Sequence, residues 1–476
     1  MTTLLNRPTA AILIMLACAG CHPPAAAVET RQLLNRGEIQ AARVRIDAAV
    51  KQQPADAELR RVDIDVHMAR GDRSGALKAY RSWLDRRGKD LPMARYLALS
   101  VLRWGLAHRD AELRLVALQG ARRTDADELE QPVAARLQDP DEVVRTWAAV
   151  ALSRTPAGAD VLQRQLRSPK PEARAVAVGN LGRIAGKAAL APLQRFVDDR
   201  SAAVRAALAR GLVEIGGDGA LGLLSRLAGD RDRSVRLAAI NALGRLRLAR
   251  AARFVRSALD DSYIGVRLAA VLALAEIEGE GARPKLREVA AGGDLPAALR
   301  AGVRLARMHE DQPVLDAIAK ALVDKQWTVR AAGCNAGASL AGHRVARKLI
   351  ADTALRDPEP RVRIAAARAV LALGDRGAAA RTAALLQGLA CRADTQPMES
   401  LCLQAAEVLL RGGNRVGLRE LERLAHRGKV PHHRQEALRL ALTGGGLLRL
   451  ALDALADADP KVAVAAAVEV YRRTED

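Results

Sequence analysis

One register recurs along most of this chain, and it limits the fold more than any other feature. An arginine follows an apolar residue at Arg114, Arg145, Arg174, Arg205, Arg236, Arg267, Arg300, Arg330 and Arg363, and holds the same place after His433 at Arg434. Cys402 and Ala463 hold the same place in two further units. Successive gaps are 29 to 33 residues, apart from 39 between Arg363 and Cys402. Six residues before the marker stands an aspartate in eight units: Asp139, Asp199, Asp230, Asp261, Asp294, Asp324, Asp357 and Asp457. Between markers the pattern is helical. In the unit around Arg236, Leu221, Leu223, Leu224 and Leu227 precede the polar corner Gly229-Asp230-Arg231-Asp232-Arg233. After it, Val235, Ala238, Ala239, Ala242, Leu243 and Leu246 recur at i, i+3, i+4, i+7, i+8 and i+11. Each unit is therefore a helix, a tight corner and a second helix, and neither helix can bury its apolar stripe without a neighbouring copy.

The predicted class is all-α: an α-solenoid, a superhelical array of antiparallel helix pairs. A solenoid also explains how 476 residues avoid needing one compact core, since each unit contacts only its neighbours. Alanine and leucine carry the apolar surface, while Trp, Tyr and Phe total only ten. The acid at each corner and the arginine opening the next helix are expected to pair along the stack. That ladder comprises Asp139/Arg145, Asp199/Arg205, Asp230/Arg236, Asp261/Arg267, Asp294/Arg300, Asp324/Arg330 and Asp357/Arg363, each arginine lying near its own acid and the acid next door. The drift to Cys402 and Ala463 is expected of array ends, which face water.

The amino terminus reads as an address. Arg7 precedes the apolar run Ala10–Ala17, which is too short to span a membrane as a mature helix. Ala19-Gly20-Cys21 follows and resembles the lipobox of bacterial lipoproteins, with Cys18 where that family usually has leucine. The resemblance implies cleavage before Cys21, a lipid on its sulfur, and, with His22 rather than Asp next, a periplasm-facing place at the outer membrane. An ordinary secretory peptide or an uncleaved anchor is the alternative. Residues 1–21 are thus assigned to a signal peptide and 22–28 to a tether. Over 29–108, Gly37, Ala42, Ile46 and Ala49 recur, offset by 34, as Gly71, Ala76, Tyr80 and Trp83. This resembles the tetratricopeptide pattern of helical hairpins. From 109 to 476 the motif D-x-x-x-x-V-R-x-x-A-x-x-A-L, carried by Asp230, Val235, Arg236, Ala239, Ala242 and Leu243 and again by Asp261, Val266, Arg267, Ala270, Ala273 and Leu274, resembles the short HEAT repeats of phycobilisome-lyase-type proteins, in about twelve copies. That repeat serves scaffolds, adaptors and some enzymes, so it speaks for fold rather than function.

Candidate chemistry is sparse. Phosphate loops, G-x-S-x-G and H-E-x-x-H are absent from the sequence. His309-Glu310 is the one His-Glu dyad, where iron-binding HEAT hydroxylases use several, so neither a metal nor a cofactor is assigned and no residue is assigned as catalytic. His432-His433 reads as a solvated turn. The glycines at 216, 217 and 444–446 read as helix ends. Cys334 reads as a small core residue. Cys391 and Cys402 flank the Pro397 corner of the enlarged unit, either as a disulfide or as two thiols.

The net charge of +21 points to an anionic partner or to a solvated arginine-rich surface. Nine residues after the markers lie Arg154, Arg183, Glu214, Arg245, Glu276 and His309; five after lie Arg210, Asn241, Asn335 and Arg368. The i, i+4 relation puts both sets on one helix face, away from the alanine-rich packing face. Repetition makes that face a mainly basic ribbon along the second helices, which line the concave side of HEAT solenoids. The leading expectation is a non-enzymatic scaffold or adaptor, lipid-anchored in a bacterial envelope, that binds an acidic protein along this ribbon. The alternative is a binder of a polyanion, nucleic acid or acidic envelope polymer. Nucleic acid is disfavoured by the export signal and the shortage of aromatics for stacking. A repeat-family lyase ranks last.

Overall fold

The computed structural model describes residues 23–375, 377, 396–445 and 448–474. Among them every regular element is helical. Numbering the N-terminal helices and then the second helix of each unit gives α1 (Ala25–Asn35), α2 (Ile39–Gln52), α3 (Ala57–Ala69), α4 (Arg73–Arg87), α5 (Leu91–Ala107) and α6 (Ala111–Thr124). The remaining second helices are α7 (Glu142–Ala151), α8 (Pro171–Ala185), α9 (Ala202–Ile215), α10 (Arg233–Leu246), α11 (Ile264–Glu278) and α12 (Leu295–Ala306). They continue as α13 (Trp327–Ala338), α14 (Pro360–Ala372), α15 (Gln396–Arg411), α16 (Pro431–Thr443) and α17 (Pro460–Arg472).

Local chemistry starts the helices where the sequence places them. Asp56, Asp72, Asp90, Asp110, Asp141, Asp232 and Asp459 each accept a hydrogen bond from a backbone amide of the first turn. Proline opens α8, α14, α16 and α17, where its missing N–H costs nothing. Gly216, at φ 69°, ends α9, and Gly445, at φ 91°, follows the end of α16. The paired positions of the N-terminal hairpins, Ala42, Ile46, Ala76, Tyr80 and Trp83, are all buried.

Second helices pack directly on one another from α6 through α17. Successive first helices touch each other less closely. In a curved stack the closely packed layer follows the shorter arc, so the second helices form the inner wall.

The stack does not end in water. Helix α17 packs against α5 and α6, so the last unit meets the first and the array closes into a ring. Val464, Val468 and Tyr471 are buried at this seam. Gly105 and Gly120 admit them: a Cβ on Gly105 would lie 3.0 Å from Val464 Cγ2, and one on Gly120 3.0 Å from Val468 Cγ2. Arg95 stacks over the Tyr471 ring at 4.3 Å and donates to its hydroxyl. Arg81 pairs with Asp453, and Lys461 with Glu112. One apolar core accordingly runs from Ile64 to Leu305 and takes in residues from Cys402 to Tyr471 across the seam. The expectation that the atypical last unit faces water is therefore corrected.

Candidate functional site

The ladder is real, and its geometry is more specific than the expected sharing between two acids. The Arg205 guanidinium bridges two corners. Its Nε and Nη2 donate to both carboxylate oxygens of Asp230, in the following unit, at 2.7 and 2.8 Å. Its Nη1 donates to the backbone carbonyls of Asp199 and Arg200 in its own corner, at 2.8 and 3.3 Å. Each arginine thus uses its own acid's carbonyl and the next acid's carboxylate. The same forward pairing joins Arg114 to Asp139, Arg174 to Asp199, Arg236 to Asp261, Arg267 to Asp294, Arg330 to Asp357 and Arg434 to Asp457. The carboxylate also accepts the amide two residues on, as Asp230 does from Asp232 at 2.8 Å. Burial works to raise the Asp230 carboxyl, but the bonds from Arg205 and that amide outweigh it and hold it below the usual carboxylate range. At Asp261 the Arg236 bond itself is the main lowering cause.

Three expected ladder members depart. Arg145 keeps its own-corner carbonyls, Asp139 and Pro140, but the next acid position is Ser168; it approaches Glu142 at 3.6 Å instead. Among the described residues Arg363 likewise bonds only the carbonyls of Asp357 and Pro358. In the next unit Glu399 takes over the linking role. It accepts from the Lys429 and Val430 amides at 2.5 and 3.2 Å and lies 3.2 Å from His433 Nδ1. His433 is therefore no solvated turn; it sits in the first turn of α16, 12 % exposed, against a buried acid. Arg300 makes neither bond, because α12 begins one residue after Asp294 rather than three, and Asp294 caps Ala297 instead. Asp324 consequently meets the Gln326 amide and, through its carbonyl, Arg330.

The unit marked by Ala463 shows what no local pattern reveals. Arg434 pairs with the Asp457 carboxylate as usual. The corner carbonyls an arginine at 463 would take, those of Asp457 and Ala458, accept instead from Nη2 of Arg73, at 2.7 and 3.5 Å. Arg73 comes from α4 and lies over the Trp104 ring at 4.6 Å. A residue from the opposite end of the chain thus fills the vacant rung.

On the inner wall, Arg183, Arg210, Asn241, Arg245 and Asn335 lie exposed on second helices. Arg154 is exposed just beyond the end of α7, and His309 beyond the end of α12 in a left-handed backbone at φ 66°, so these two leave the ribbon's helical register. The acids relieve some charges. Arg245 meets Glu214 at 3.5 Å, Glu276 meets Arg247 at 2.5 Å and Arg304 at 3.6 Å, and Arg368 meets Glu407 at 3.4 Å. Arg154, Arg183 and Arg210 make no side-chain hydrogen bond or ion pair among the described residues. On the outer layer Arg226 pairs with Asp198 at 3.0 Å and Arg256 with Glu278 at 2.7 Å.

Cys334 is fully buried and burial pushes its thiol up to about 12, as a core thiol requires. Cys402 is buried, while Cys391 lies outside the described residues, as does Cys21. Among the described residues no group of three or more His, Cys, Asp or Glu side chains is placed to hold a metal ion. None of the described helices is long and apolar enough to cross a membrane.

The sequence model of HEAT repeats matches residues 159–231 and 220–307. No curated protein sequence matches the chain. Similar solved structures include the CpcE–CpcF complex of phycocyanin lyase from Nostoc sp. PCC7120, at 19 % identity over 48 % of this chain and 93 % of that one, TM-score 0.33. Kap121p bound to Nup53p is similar at 11 % identity over 87 % of this chain and 57 % of that one, TM-score 0.38. Human deoxyhypusine hydroxylase follows at 18 % identity over 59 % and 97 %, TM-score 0.22. Residues 159–307 of this chain are HEAT repeats, set in an all-α solenoid.

Proposed function

We propose that this protein is a non-enzymatic scaffold that holds an acidic protein partner along the inner wall of its ring, and that a lipid on Cys21 tethers it to a bacterial outer membrane on the periplasmic side. The supporting observation is that Arg183 and Arg210 on the inner wall, and Arg154 just beyond the end of α7, in three successive units, are exposed and lack ion partners among the described residues. The outer-layer arginines Arg226 and Arg256 have partners and serve as the comparison. Several separated contacts of this kind give specificity and rapid association more than strength at any one point.

Mild crosslinking in the native envelope followed by capture identifies the partner. Reversing Arg183, Arg210 and Arg245 to Glu together should nearly abolish capture with helicity unchanged, whereas reversing Arg226 and Arg256 should leave it intact. Equal loss from both sets supports instead the second reading, a polyanion bound through total charge, which the net charge of +21 favours. That reading further requires affinity to fall steeply and linearly in log–log form as salt rises. Cys21→Ser should release the protein from membranes; a variant that stays bound and uncleaved defeats the lipid anchor.

A further inference from the structure

The broken rung at Arg300 opens onto a cleft of about 330 Å³ on the inner wall, between α11, α12 and α13. Its floor is apolar, formed by Leu272, Leu299, Val303 and Ala332. Its polar lining is rich in donors: Arg300 and Arg304 from α12 and Arg307 just past it, and Asn335 and Ser339 from α13 or just past it. Their spacing at i, i+4 and i+7 gathers three guanidinium groups on one side of one helix. At seven other markers the arginine is paired with the aspartate of the following unit. Here Arg300 and Arg307 make no hydrogen bond or ion pair among the described residues. Arg304 has only Glu276, at 3.6 Å, and Glu276 is already held by Arg247 at 2.5 Å. Burial, then the charges of Arg307 and Arg300, depress the Arg304 guanidinium below its ordinary range. Three cations held together against their repulsion, with one acid that a fourth arginine already holds, leave an excess of two to three positive charges above an apolar floor.

The geometry points to a binding site for a phosphate dianion in this cleft: the phosphate of a small phosphorylated molecule whose apolar part rests on Leu272 and Val303. A dianion matches the excess charge, and tetrahedral oxygens can accept from several guanidinium groups, the Asn335 amide and the Ser339 hydroxyl together. A single carboxylate would leave the site cationic. The site does not depend on the scaffold reading, because it is complete within one chain.

Isothermal titration with inorganic phosphate, glycerol 2-phosphate, sulfate and acetate tests the site on the full chain. Saturable binding of phosphate or its monoester with Kd below about 1 mM is expected. Tighter binding of the monoester identifies an organic phosphate, and equal binding identifies free phosphate. Since the second ionisation of a phosphate monoester lies near pH 6, its affinity should rise about tenfold from pH 5 to 7 as the dianion fraction grows. Sulfate stays dianionic throughout, so its titration over the same range controls for any change on the protein side of the cleft, which faces Arg247, Glu276, Arg300, Arg304, Arg307 and His309. Arg304→Gln and Arg307→Gln should each lower affinity at least tenfold, while Arg226→Gln on the outer layer changes nothing. Arg304→Gln should not lower Tm, because it removes like-charge repulsion; binding lost with Tm retained excludes unfolding as the cause. Absence of saturable phosphate binding, acetate binding equal to phosphate, or Arg304→Gln and Arg307→Gln binding like the parent overturns the site.

Discussion

Closure of the ring can be tested at a single side chain. Arg73→Ala removes the rung that α4 lends to the last unit. The loss comprises a charged hydrogen bond to the Asp457 carbonyl, worth about 1.5–3 kcal/mol, and stacking over Trp104, worth about 0.5–2 kcal/mol. Other polar seam contacts remain: Lys461 with Glu112, Arg95 to the Tyr471 hydroxyl, and Arg81–Asp453, whose half-exposed arginine adds about 0–1 kcal/mol. The apolar contacts of Val464 and Val468 remain. Arg73→Ala should therefore loosen the seam by about 2–5 kcal/mol without unfolding the array. Hydrogen exchange read by mass spectrometry reports this directly: amides of Pro460–Arg472 should exchange about 30- to 3,000-fold faster, while α9–α11 keep their protection. Adding Gly120→Leu, which drives a side chain into Val468, costs about a further 1–3 kcal/mol and should open the ring, raising the radius of gyration in solution scattering. If Pro460–Arg472 exchanges alike in parent and double variant, the array is open in solution and the closure argument fails.

Two further outcomes follow from the ladder. Arg205→Ala strands Asp230 where the pair is 6 % and 10 % exposed, so it should cost about 3–5 kcal/mol, against about 0–1 for Arg226→Ala at an exposed pair; equal effects by denaturant titration would make the register mere surface charge. The native carboxyls of Asp230, Asp261 and Asp357 lie below their unfolded value near 3.9, so the unfolded chain binds more protons at acid pH. Their stabilisation is complete above that value and is lost as pH falls below about 4, which a series of melting curves from pH 6 to 2.5 should show, with a shallower loss in Asp230→Asn.

The repeat was legible because each unit restates the same local problem. A corner acid, a marker arginine and an apolar stripe at 3.6-residue spacing yield helix pairs wherever they occur, and the all-α class follows from pattern alone. The exposed place of Arg183, Arg210 and Arg245 on second helices followed for the same reason. Departures of one or two residues escaped that reading. The early start of α12 unhooks Arg300 from both neighbours, and a marker counted from the sequence does not register a helix that begins two residues sooner. His433 likewise looked solvated until Glu399, 34 residues away, was seen beneath it.

Closure lay beyond sequence altogether. The curvature of a solenoid accumulates from small rotations between units, each set by how side chains interlock, and a small change per unit separates an open superhelix from a ring. Ala463 read as decay at a chain end because its missing arginine was sought within its own unit. Its partner stands 390 residues earlier, at Arg73, and only packing that brings α17 between α5 and α6 makes the small alanine and the distant arginine one rung.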